Sequence, residues 1–521
     1  MLKASGGMAA ATLSSRVLGM VREMVYARFM GDGWVAGAFQ VAFTIPNLFR
    51  RLLGEGALTA AFIPVFKEKE KTVGEREMWH TANAVISGLI VAAAVVIAVV
   101  LAGVSLALGL HTFTAKTDLM LRLLRMMFPY MLLVCVAAAF MGMLNARGHF
   151  FIPALGATML NVVMIASVLW LAPGWGHVLQ QQIFALAVGV LVAGVAQAAF
   201  QLPSLWWDGF RYRWVSPWRN ESVRRVVRQM IPGAMGVAAF QINVAIIQGL
   251  GFWLDTPQQP LIAPFNYAVR LMELPQGVFG LSLATFLLPT LSGLAAERNY
   301  SEFRATLRRG IEHLILLNLL MAVLLVVLAE PIIRLLFERG KFGPDSTMRA
   351  TFALQCLGAS LVAYSLVNVL ARAFYALGDT TTPMKVSIMC LGLNLVFACF
   401  LVWPFRQGGL GLANTVSSAG NLALLLYALR RKLGSLEMGV LWPVFLPQAL
   451  AAALAGGIAW WAGRHWDARL GHATLPLKIG AVFVPGILAG SAYWCVALWA
   501  KIPAAHEITA FVFRRFRPAA D

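Results

Sequence analysis

Five arginines lie in otherwise apolar sequence, where a charge is costly. They are, in chain order, Arg16, Arg22, Arg50, Arg51 and Arg270. A charge near the middle of a bilayer costs about 2.5–3.5 kcal/mol on insertion scales, so such residues normally face a protein interior or a water-filled cavity. We therefore expect these arginines to line a cavity.

Three glutamates and one asparagine accompany the arginines and are candidates for gating or charge pairing. They are Glu23, Glu55, Glu273 and Asn47. Glu55 follows Arg51 by four residues and Glu273 follows Arg270 by three, so each could form an ion pair within its own helix. Purely structural pairs of this kind are the main alternative to a role in ligand binding. The arginines outnumber the glutamates by two, however, so internal pairing cannot neutralise the set.

An anion would complete this set of charges. Arginine presents a planar, permanently charged fork that fits phosphate and carboxylate groups and can bind them through two hydrogen bonds. We therefore predict that the five arginines bind an anionic substrate, such as a diphosphate that carries further carboxylates.

The composition is that of a polytopic membrane protein. Of the 521 residues, 60% are hydrophobic and only 12% are charged, whereas soluble domains carry about 25% charged residues. A net charge of +19 could suit nucleic acid, but the basic residues are scattered through short connectors. This distribution argues against a nucleic-acid partner and fits the excess of basic residues in cytoplasmic loops of membrane proteins.

The sequence contains no persuasive enzyme motif. It has no phosphate-binding P-loop pattern and no His-x-x-x-His motif, and its five cysteines lack the spacing of metal ligands. We therefore predict a transporter without cofactor or metal, driven by the membrane potential, an ion gradient or the gradient of its ligand. No small-residue cleavage site precedes Arg16, so we expect the first helix to be retained.

Fourteen apolar stretches are long enough to cross a membrane, which predicts an all-α fold with fourteen transmembrane helices. They are residues 8–29, 34–62, 80–110, 120–146, 151–172, 182–203, 227–254, 261–291, 311–337, 350–377, 383–404, 409–430, 441–463 and 477–500. Proline and glycine interrupt the second and eighth stretches, for example at Pro46 and Pro275. Broken helices at membrane depth are tolerated where they line a cavity.

The charges of the connectors predict that both termini are cytoplasmic. The connectors after the second, sixth, eighth and twelfth stretches are rich in lysine and arginine, whereas residues 173–181 and 255–260 contain neither. Basic connectors stay in the cytoplasm. The connector with Arg339 and Lys341 goes against this trend.

A weak internal repeat divides the chain. Residues 145–153 resemble residues 375–383, at an offset of 230, and residues 61–64 resemble residues 286–289, at an offset of 225. An offset of six helices gives both copies the same membrane orientation, which predicts two pseudo-symmetric six-helix lobes and two extra C-terminal helices. The predicted domains are an N-terminal lobe (1–203), an amphipathic interfacial linker (204–226), a C-terminal lobe (227–431), and the last two helices with a basic cytoplasmic tail (432–521).

Three motifs resemble those of a known bacterial family. They read Ser-Arg-Val-Leu-Gly-x-x-Arg-Glu at 15–23, Pro-Asn-Leu-x-Arg-Arg-Leu-x-x-Glu-Gly-Ala at 46–57, and Arg-Leu-Met-Glu-Leu-Pro-x-Gly-Val-x-Gly at 270–280. Over essentially its whole length, the sequence is similar to the bacterial lipid II flippase family MurJ (MviN). This family belongs to the superfamily of multidrug, oligosaccharidyl-lipid and polysaccharide exporters.

The resemblance implies a two-lobed, V-shaped transporter that works by alternating access. Its substrate would be lipid II, the undecaprenyl-diphosphate-linked peptidoglycan precursor, moved from the inner to the outer leaflet of the bacterial inner membrane for cell wall biogenesis and cell shape. The resemblance also implies that Arg16, Arg22, Arg51 and Arg270 are needed for transport, with Arg50 adjacent, and that the last two helices take the lipid tail. The implied partners are lipid II, membrane lipids and the cell-wall synthesis machinery.

Two departures from the family pattern make the predicted cavity more positive. Many relatives carry an acidic residue where this chain has Gly37, and another where it has Val269. The aspartate with which some relatives bind sodium has no counterpart, because residues 227–253 contain no acid. The alternative function is export of drugs or of other lipid-linked oligosaccharides, although excess positive charge argues against cationic drugs. A scaffold without transport activity would leave the embedded arginines unexplained.

Overall fold

The protein folds into helices. The computed structural model describes residues 2–51, 58–218, 220–434, 439 and 442–516, and these residues form helices and no strands. A helix satisfies its backbone hydrogen bonds within its own segment, as a membrane interior requires. The predicted all-α class is therefore confirmed.

Two compact units divide the chain. The first comprises Met1–Ala263 and Arg339–Phe342, and the second comprises Pro264–Glu338 and Gly343–Asp521. The helices up to this boundary are α1 (Leu2–Met30), α2 (Trp34–Phe49), α3 (Thr59–Thr72), α4 (Glu75–Leu110), α5 (Ala115–Met127), α6 (Tyr130–Ala146), α7 (Phe151–Ala166), α8 (Leu179–Trp207) and α9 (Glu221–Leu254). The following helices are α10 (Ile262–Pro275), α11 (Ser282–Ala296), α12 (Tyr300–Val327), α13 (Ala329–Leu336), α14 (Pro344–Gly358), α15 (Ser360–Ala376), α16 (Thr381–Leu433), α17 (Trp442–Arg469), α18 (Leu475–Trp499) and α19 (Pro503–Phe516).

Eight helices in the described residues are long and apolar enough to cross a membrane, or ten if each of two bent pairs counts as one crossing. The bent pairs are α5–α6, at 41°, and α14–α15, at 42°; the sequence predicts each as one continuous stretch. α16 covers two predicted stretches, and its helical geometry is interrupted at Arg406, where φ is 51° and ψ is −126°. The count of fourteen transmembrane helices stays a prediction.

The first unit extends further along the chain than the predicted N-terminal lobe. α9 contacts α2, α3 and α4, so it packs within the first unit, whereas the sequence repeat assigns its residues to the second lobe. The domain boundaries at 203, 226 and 431 stay predictions.

An aromatic cluster anchors the predicted linker to the first unit. The rings of Phe66 and Trp79 lie 5.6 Å apart, those of Trp79 and Phe210 5.5 Å apart, and those of Phe140 and Phe210 6.0 Å apart, measured between centroids. Phe210 is fully buried, whereas other aromatics of the linker are exposed: Trp207, Trp214 and Trp218. Exposed tryptophans beside arginines suit a membrane interface, and the interfacial position of this linker stays a prediction.

The two C-terminal helices α17 and α18 pack within the second unit against α12. The α17 face in this core is made of buried alanines, namely Ala451, Ala452, Ala455 and Ala459. Small side chains allow close helix approach, and the Tyr493 hydroxyl donates a hydrogen bond of 2.8 Å to the Leu316 carbonyl. α19, which the fourteen stretches do not include, adds Ala504 and Ala505 to the same core.

Three helix ends recur in the two halves of the chain. The chain has a positive φ at Gly74, Gly148 and Gly209, and again at Arg298, Gly378 and Gly434. After α6 the His149 amide donates to the Leu144 carbonyl, and after α15 the Asp379 amide donates to the Phe374 carbonyl, both at 2.9 Å. This six-residue cap with a left-handed residue is a common helix ending. The repeat in the sequence thus corresponds to a repeat in local backbone structure.

The aspartate lies on opposite sides of the contact beside two of these caps. His149 Nε2 lies 3.1 Å from Asp208 Oδ1, just after α8. At the corresponding position, Asp379 accepts a hydrogen bond of 2.7 Å from Lys432 Nζ, in the last turn of α16. The Lys432 ammonium and the Thr382 backbone amide lower the pKa of Asp379 to about 2.

Candidate functional site

The first helix is positioned by its small-residue face. The Asn161 carboxamide of α7 donates a hydrogen bond of 3.2 Å to the Ser15 carbonyl, and a Cβ at Gly19 would lie 3.8 Å from the same carboxamide. Ser15 and Gly19 are one helical turn apart, so their face packs directly on α7. Asn161 therefore serves helix packing in this structure.

Arg22 and Glu23 form a buried ion pair on α1. Arg22 Nη2 lies 2.5 Å from Glu23 Oε1, and the two side chains are only 12% and 9% exposed. The guanidinium also lies over the Tyr26 ring, 5.5 Å from its centroid, and its buried Nε has no hydrogen-bond partner among the described residues. Arg22 is therefore enclosed by the protein and retains a donor that Glu23 does not use.

Arg16 differs from Arg22 in its charge environment. Its side chain is half-buried, and no carboxylate of the residues that the structure describes lies within ion-pairing distance. A half-buried guanidinium without such a carboxylate is available to an anion from outside the chain.

The end of α2 is irregular at the predicted second arginine group. Arg50 and Arg51 lie in a π-helical turn, a geometry that is frequent at functional sites. Arg50 Nε donates a hydrogen bond of 2.8 Å to Asn47 Oδ1, which brings together two residues that the sequence predicts as site residues. Glu55, the predicted partner of Arg51, lies outside the described residues.

Arg270 and Glu273 pair on α10 in the second unit. Arg270 Nη1 donates to Glu273 Oε2 at 2.8 Å, and the side chains are 41% and 44% exposed. Immediately after Pro275, residues 276–281 form a π-helical segment, so the predicted loosening of this helix is observed. At its end a Cβ on Gly280 would lie 2.7 Å from Ser365 Oγ, which shows how closely this segment approaches α15.

Sequence reasoning missed a buried acid beside Gly37. Asp255, just after α9, is 3% exposed, and a Cβ at Gly37 would lie 2.7 Å from its Oδ2. The carboxylate of Asp255 thus borders the backbone of Gly37 directly. Lys116 Nζ donates to the Phe252 carbonyl and, at 2.5 Å, to the Asp255 carbonyl. No local sequence signal links Gly37 with Asp255, because more than two hundred residues separate them.

The arginines belong to two separately described units: Arg16, Arg22, Arg50 and Arg51 to the first and Arg270 to the second. Within the described residues, no group of three or more histidine, cysteine, aspartate and glutamate side chains could hold a metal ion. The guanidinium groups of these arginines can bind phosphates and carboxylates.

Comparisons with known proteins point in the same direction. The sequence model of the family "Lipid II flippase MurJ" matches residues 26–479. A "Probable lipid II flippase MurJ" from Haemophilus influenzae is 33% identical over 469 residues, which cover 86% of this chain and 90% of the relative. A "Lipid II flippase MurJ" from Burkholderia cenocepacia is 33% identical over 498 residues, which cover 94% of this chain and 95% of the relative.

Solved structures show the same fold. A chain described as "Lipid II flippase MurJ, inward closed conformation" superposes with a TM-score of 0.76 at 20% identity and covers 94% of this chain and 99% of its own. An inward-facing multidrug resistance MATE family transporter of the MOP superfamily superposes with a TM-score of 0.64 at 16% identity, covering 82% and 99%. At these identities, the likeness concerns the fold alone.

Proposed function

The chain belongs to the lipid II flippase MurJ family, and from this membership we propose that it moves lipid II from the inner to the outer leaflet of the bacterial inner membrane. The observation that carries the proposal is the match of the family over residues 26–479. The family consists of transporters rather than catalytic enzymes, in keeping with the predicted absence of a catalytic motif. In this proposal both termini are cytoplasmic, as the basic connectors predict.

The diphosphate of lipid II is the group that we propose the arginines bind. Arg16, Arg22 and Arg270 would hold it, with Arg50 as a further binding residue. Arg51 and Glu55 would stabilise or gate the cytoplasmic entrance. Support comes from the half-buried Arg16, which has no carboxylate among the described residues, and from the buried Arg22, whose Nε is not used by Glu23. Guanidinium groups match a diphosphate in charge and geometry.

Pairing with glutamate would change the affinity of these arginines for the substrate. Glu23 and Glu273 each accept a hydrogen bond from a site arginine, so each competes with the substrate for the same guanidinium. Transport requires the affinity for substrate to differ between inward-open and outward-open states, because equal affinity would shift no population. We propose that exchange of these arginines between glutamate and diphosphate supplies that difference.

The π-helical segment after Pro275 is the element of the second unit that we propose bends during alternating access. π-Helical turns within α-helices are frequent at functional sites. The energy source is proposed to be the membrane potential or an ion gradient, without a cofactor. Association with the cell-wall synthesis machinery is a further proposal.

The test is depletion of the protein in its host, followed by measurement of lipid II that is accessible at the outer face of the inner membrane. We expect accessible lipid II to disappear and precursor to accumulate inside. Wild type should restore accessibility. Arg270→Ala should insert normally but should not restore accessibility, because it lacks the guanidinium that we propose binds the diphosphate. Arg122→Ala is the matched control, since Arg122 also pairs with a carboxylate of its own helix, Asp118, but is 56% exposed and outside the site.

Two results would contradict the proposal. Unchanged accessibility after depletion, in a host without a second flippase, would refute lipid II as the substrate and favour a drug or another lipid-linked oligosaccharide. Wild-type accessibility with Arg270→Ala would refute the role of Arg270 while leaving the family function intact.

A further inference from the structure

A polar stripe runs along one face of α15 in the second unit. Tyr364, Asn368 and Arg372 recur at intervals of four residues and so share one face of the helix. All three are half-buried. The opposite face is fully buried in the apolar core of the unit and consists of Val369, Leu370, Ala373 and Phe374.

The first residue of the stripe lies within electrostatic range of Glu273, a residue of the site already described. The Tyr364 hydroxyl donates a hydrogen bond of 3.1 Å to Asn414 Oδ1, and Glu273 lies close enough to act electrostatically on Tyr364. Glu273 is the partner of Arg270. The stripe therefore begins within electrostatic range of Glu273, and both belong to the same unit.

The stripe continues from Tyr364 towards the end of α15 that the basic connectors predict to be cytoplasmic. Asn368 Nδ2 donates a hydrogen bond of 3.0 Å to the Tyr364 carbonyl one turn back. Arg372 is two turns beyond Tyr364, or about 12 Å along the helix axis at 1.5 Å per residue. The polar face thus extends from Tyr364 almost to the helix end at Ala376.

Arg372 has a charge that the described part of the chain does not neutralise. None of the described carboxylates lies within ion-pairing distance of its guanidinium, in contrast to Arg270 beside Glu273 and to Arg334 beside Glu330. An arginine inside a membrane segment normally faces a protein interior or a watery cavity, or else pairs with another group. A face directed at lipid tails would be apolar, whereas this face carries a phenol, a carboxamide and a guanidinium.

We propose that Arg372, assisted by the Asn368 carboxamide, is a second anion-binding position of the substrate pathway. It would bind a phosphate or carboxylate of the lipid-linked substrate on the cytoplasmic side of Arg270, before that group reaches the Arg270–Glu273 pair. This inference rests on the proposed function and on the predicted orientation. The guanidinium stays charged at every physiological pH and binds such groups through its planar fork.

Binding of lipid II to the full-length protein in phospholipid nanodiscs tests the proposal. We expect Arg372→Gln to weaken the affinity about tenfold or more, since a charged hydrogen bond is lost. Arg372→Lys should fall between wild type and Arg372→Gln, because it keeps the charge and loses the fork. Arg430→Gln is the matched control: Arg430 is exposed in the last turn of α16, and its replacement should leave the affinity unchanged.

A second probe identifies the bound group. Undecaprenyl diphosphate lacks the sugars and the peptide. If Arg372→Gln loses as much affinity for it as for lipid II, Arg372 binds the phosphate. If Arg372→Gln loses affinity only for lipid II, Arg372 binds a carboxylate of the peptide instead. Both results support the proposal.

Three outcomes would overturn the proposal. The first is wild-type affinity in the well-folded Arg372→Gln protein or, if that protein does not fold, in Arg372→Lys. The second is a loss of affinity for lipid II in Arg430→Gln as large as that in Arg372→Gln. The third is a loss that occurs only in nanodiscs with anionic phospholipid and vanishes in phosphatidylcholine, which would make Arg372 a bilayer contact. If Arg270→Gln binds lipid II weakly while any of these results is obtained, only the proposal for Arg372 is refuted and the proposed function stands. If wild type does not bind lipid II, both proposals are refuted.

Discussion

Replacement of Gly37 should destabilise the first unit, although glycine is normally a poor residue for a helix. Gly37 lies inside α2, and a Cβ there would meet Asp255 Oδ2 at 2.7 Å and Ile262 Cγ2 at 2.8 Å. Both distances are shorter than carbon contacts in folded proteins, and Asp255 and Ile262 are buried. Room for the new methyl group therefore requires a shift of the packed segment that follows α9.

The expected magnitude follows from two opposing effects. Overpacking of a buried site costs about 1–3 kcal/mol, and exchange of glycine for alanine within a helix returns up to about 1 kcal/mol. Gly37→Ala should therefore lower the free energy of unfolding by up to about 2 kcal/mol. Gly103→Ala in α4 is the matched control, because no atom lies within 4 Å of a Cβ there, and it should be neutral or stabilising.

An aspartate at position 37 should be worse than alanine. Its carboxylate would lie beside that of Asp255, and two like charges about 4 Å apart repel by about 4 kcal/mol at an effective dielectric constant of about 20. Adding Asp255→Asn should recover most of this loss, because it removes the repulsion and keeps an oxygen that can accept the Leu261 amide, as Asp255 Oδ1 now does.

Denaturant unfolding of the purified protein in mild detergent, followed by tryptophan fluorescence, measures these differences. The reasoning fails if Gly37→Ala is stabilised as much as Gly103→Ala. It also fails if Gly37→Asp is no less stable than Gly37→Asp combined with Asp255→Asn, since charge repulsion would then contribute nothing.

Two further predictions concern the caps that recur in both halves. Asp379→Ala should cost about 1 kcal/mol at neutral pH, since the carboxylate accepts hydrogen bonds from the Thr382 amide and from Lys432. The pKa of Asp379 is lowered to about 2 in the folded protein from 3.8, so this stability is present above about pH 4 and disappears towards pH 2. The prediction is wrong if the difference in free energy of unfolding between wild type and variant stays constant from neutral pH down to pH 2. Arg298→Gly should stabilise by about 1 kcal/mol, because Arg298 has a φ of 57° where the corresponding Gly74 needs no strain; a lower unfolding midpoint than wild type would show that the arginine side chain contributes more than its backbone strain costs.

Much of the helical fold could be predicted because the apolar runs are long. α4 and α8 coincide closely with predicted stretches, since residues 81–110 and 179–207 contain no charged side chain. The bend between α5 and α6 follows from Pro129, which cannot continue the hydrogen-bond ladder. α19 was missed because its amphipathic sequence carries His506 and Glu507, so it gives no apolar run of membrane length.

The partners of the site residues were harder to predict. The spacing correctly pairs Arg270 with Glu273, because residues three apart lie on one helical face. Arg22 and Glu23 are adjacent and project about 100° apart, so helical spacing gives no reason to pair them. Their contact depends on the bend of a long arginine side chain held over Tyr26. The approach of Asp255 to Gly37 depends entirely on the packing of α9 beside α2.

The two capped loops place their aspartates on opposite sides of the contact, which limits how far the halves of this chain could be exchanged. If the halves arose by duplication of an ancestral gene, their backbones still share the same helix ending, but His149 faces Asp208 in one copy and Asp379 faces Lys432 in the other. A chimaera with the later loop grafted into the earlier half would set Asp379 against Asp208, two carboxylates in one cap. Each loop is matched to the helix end that it contacts, so a working exchange would have to move the loop and that helix end together.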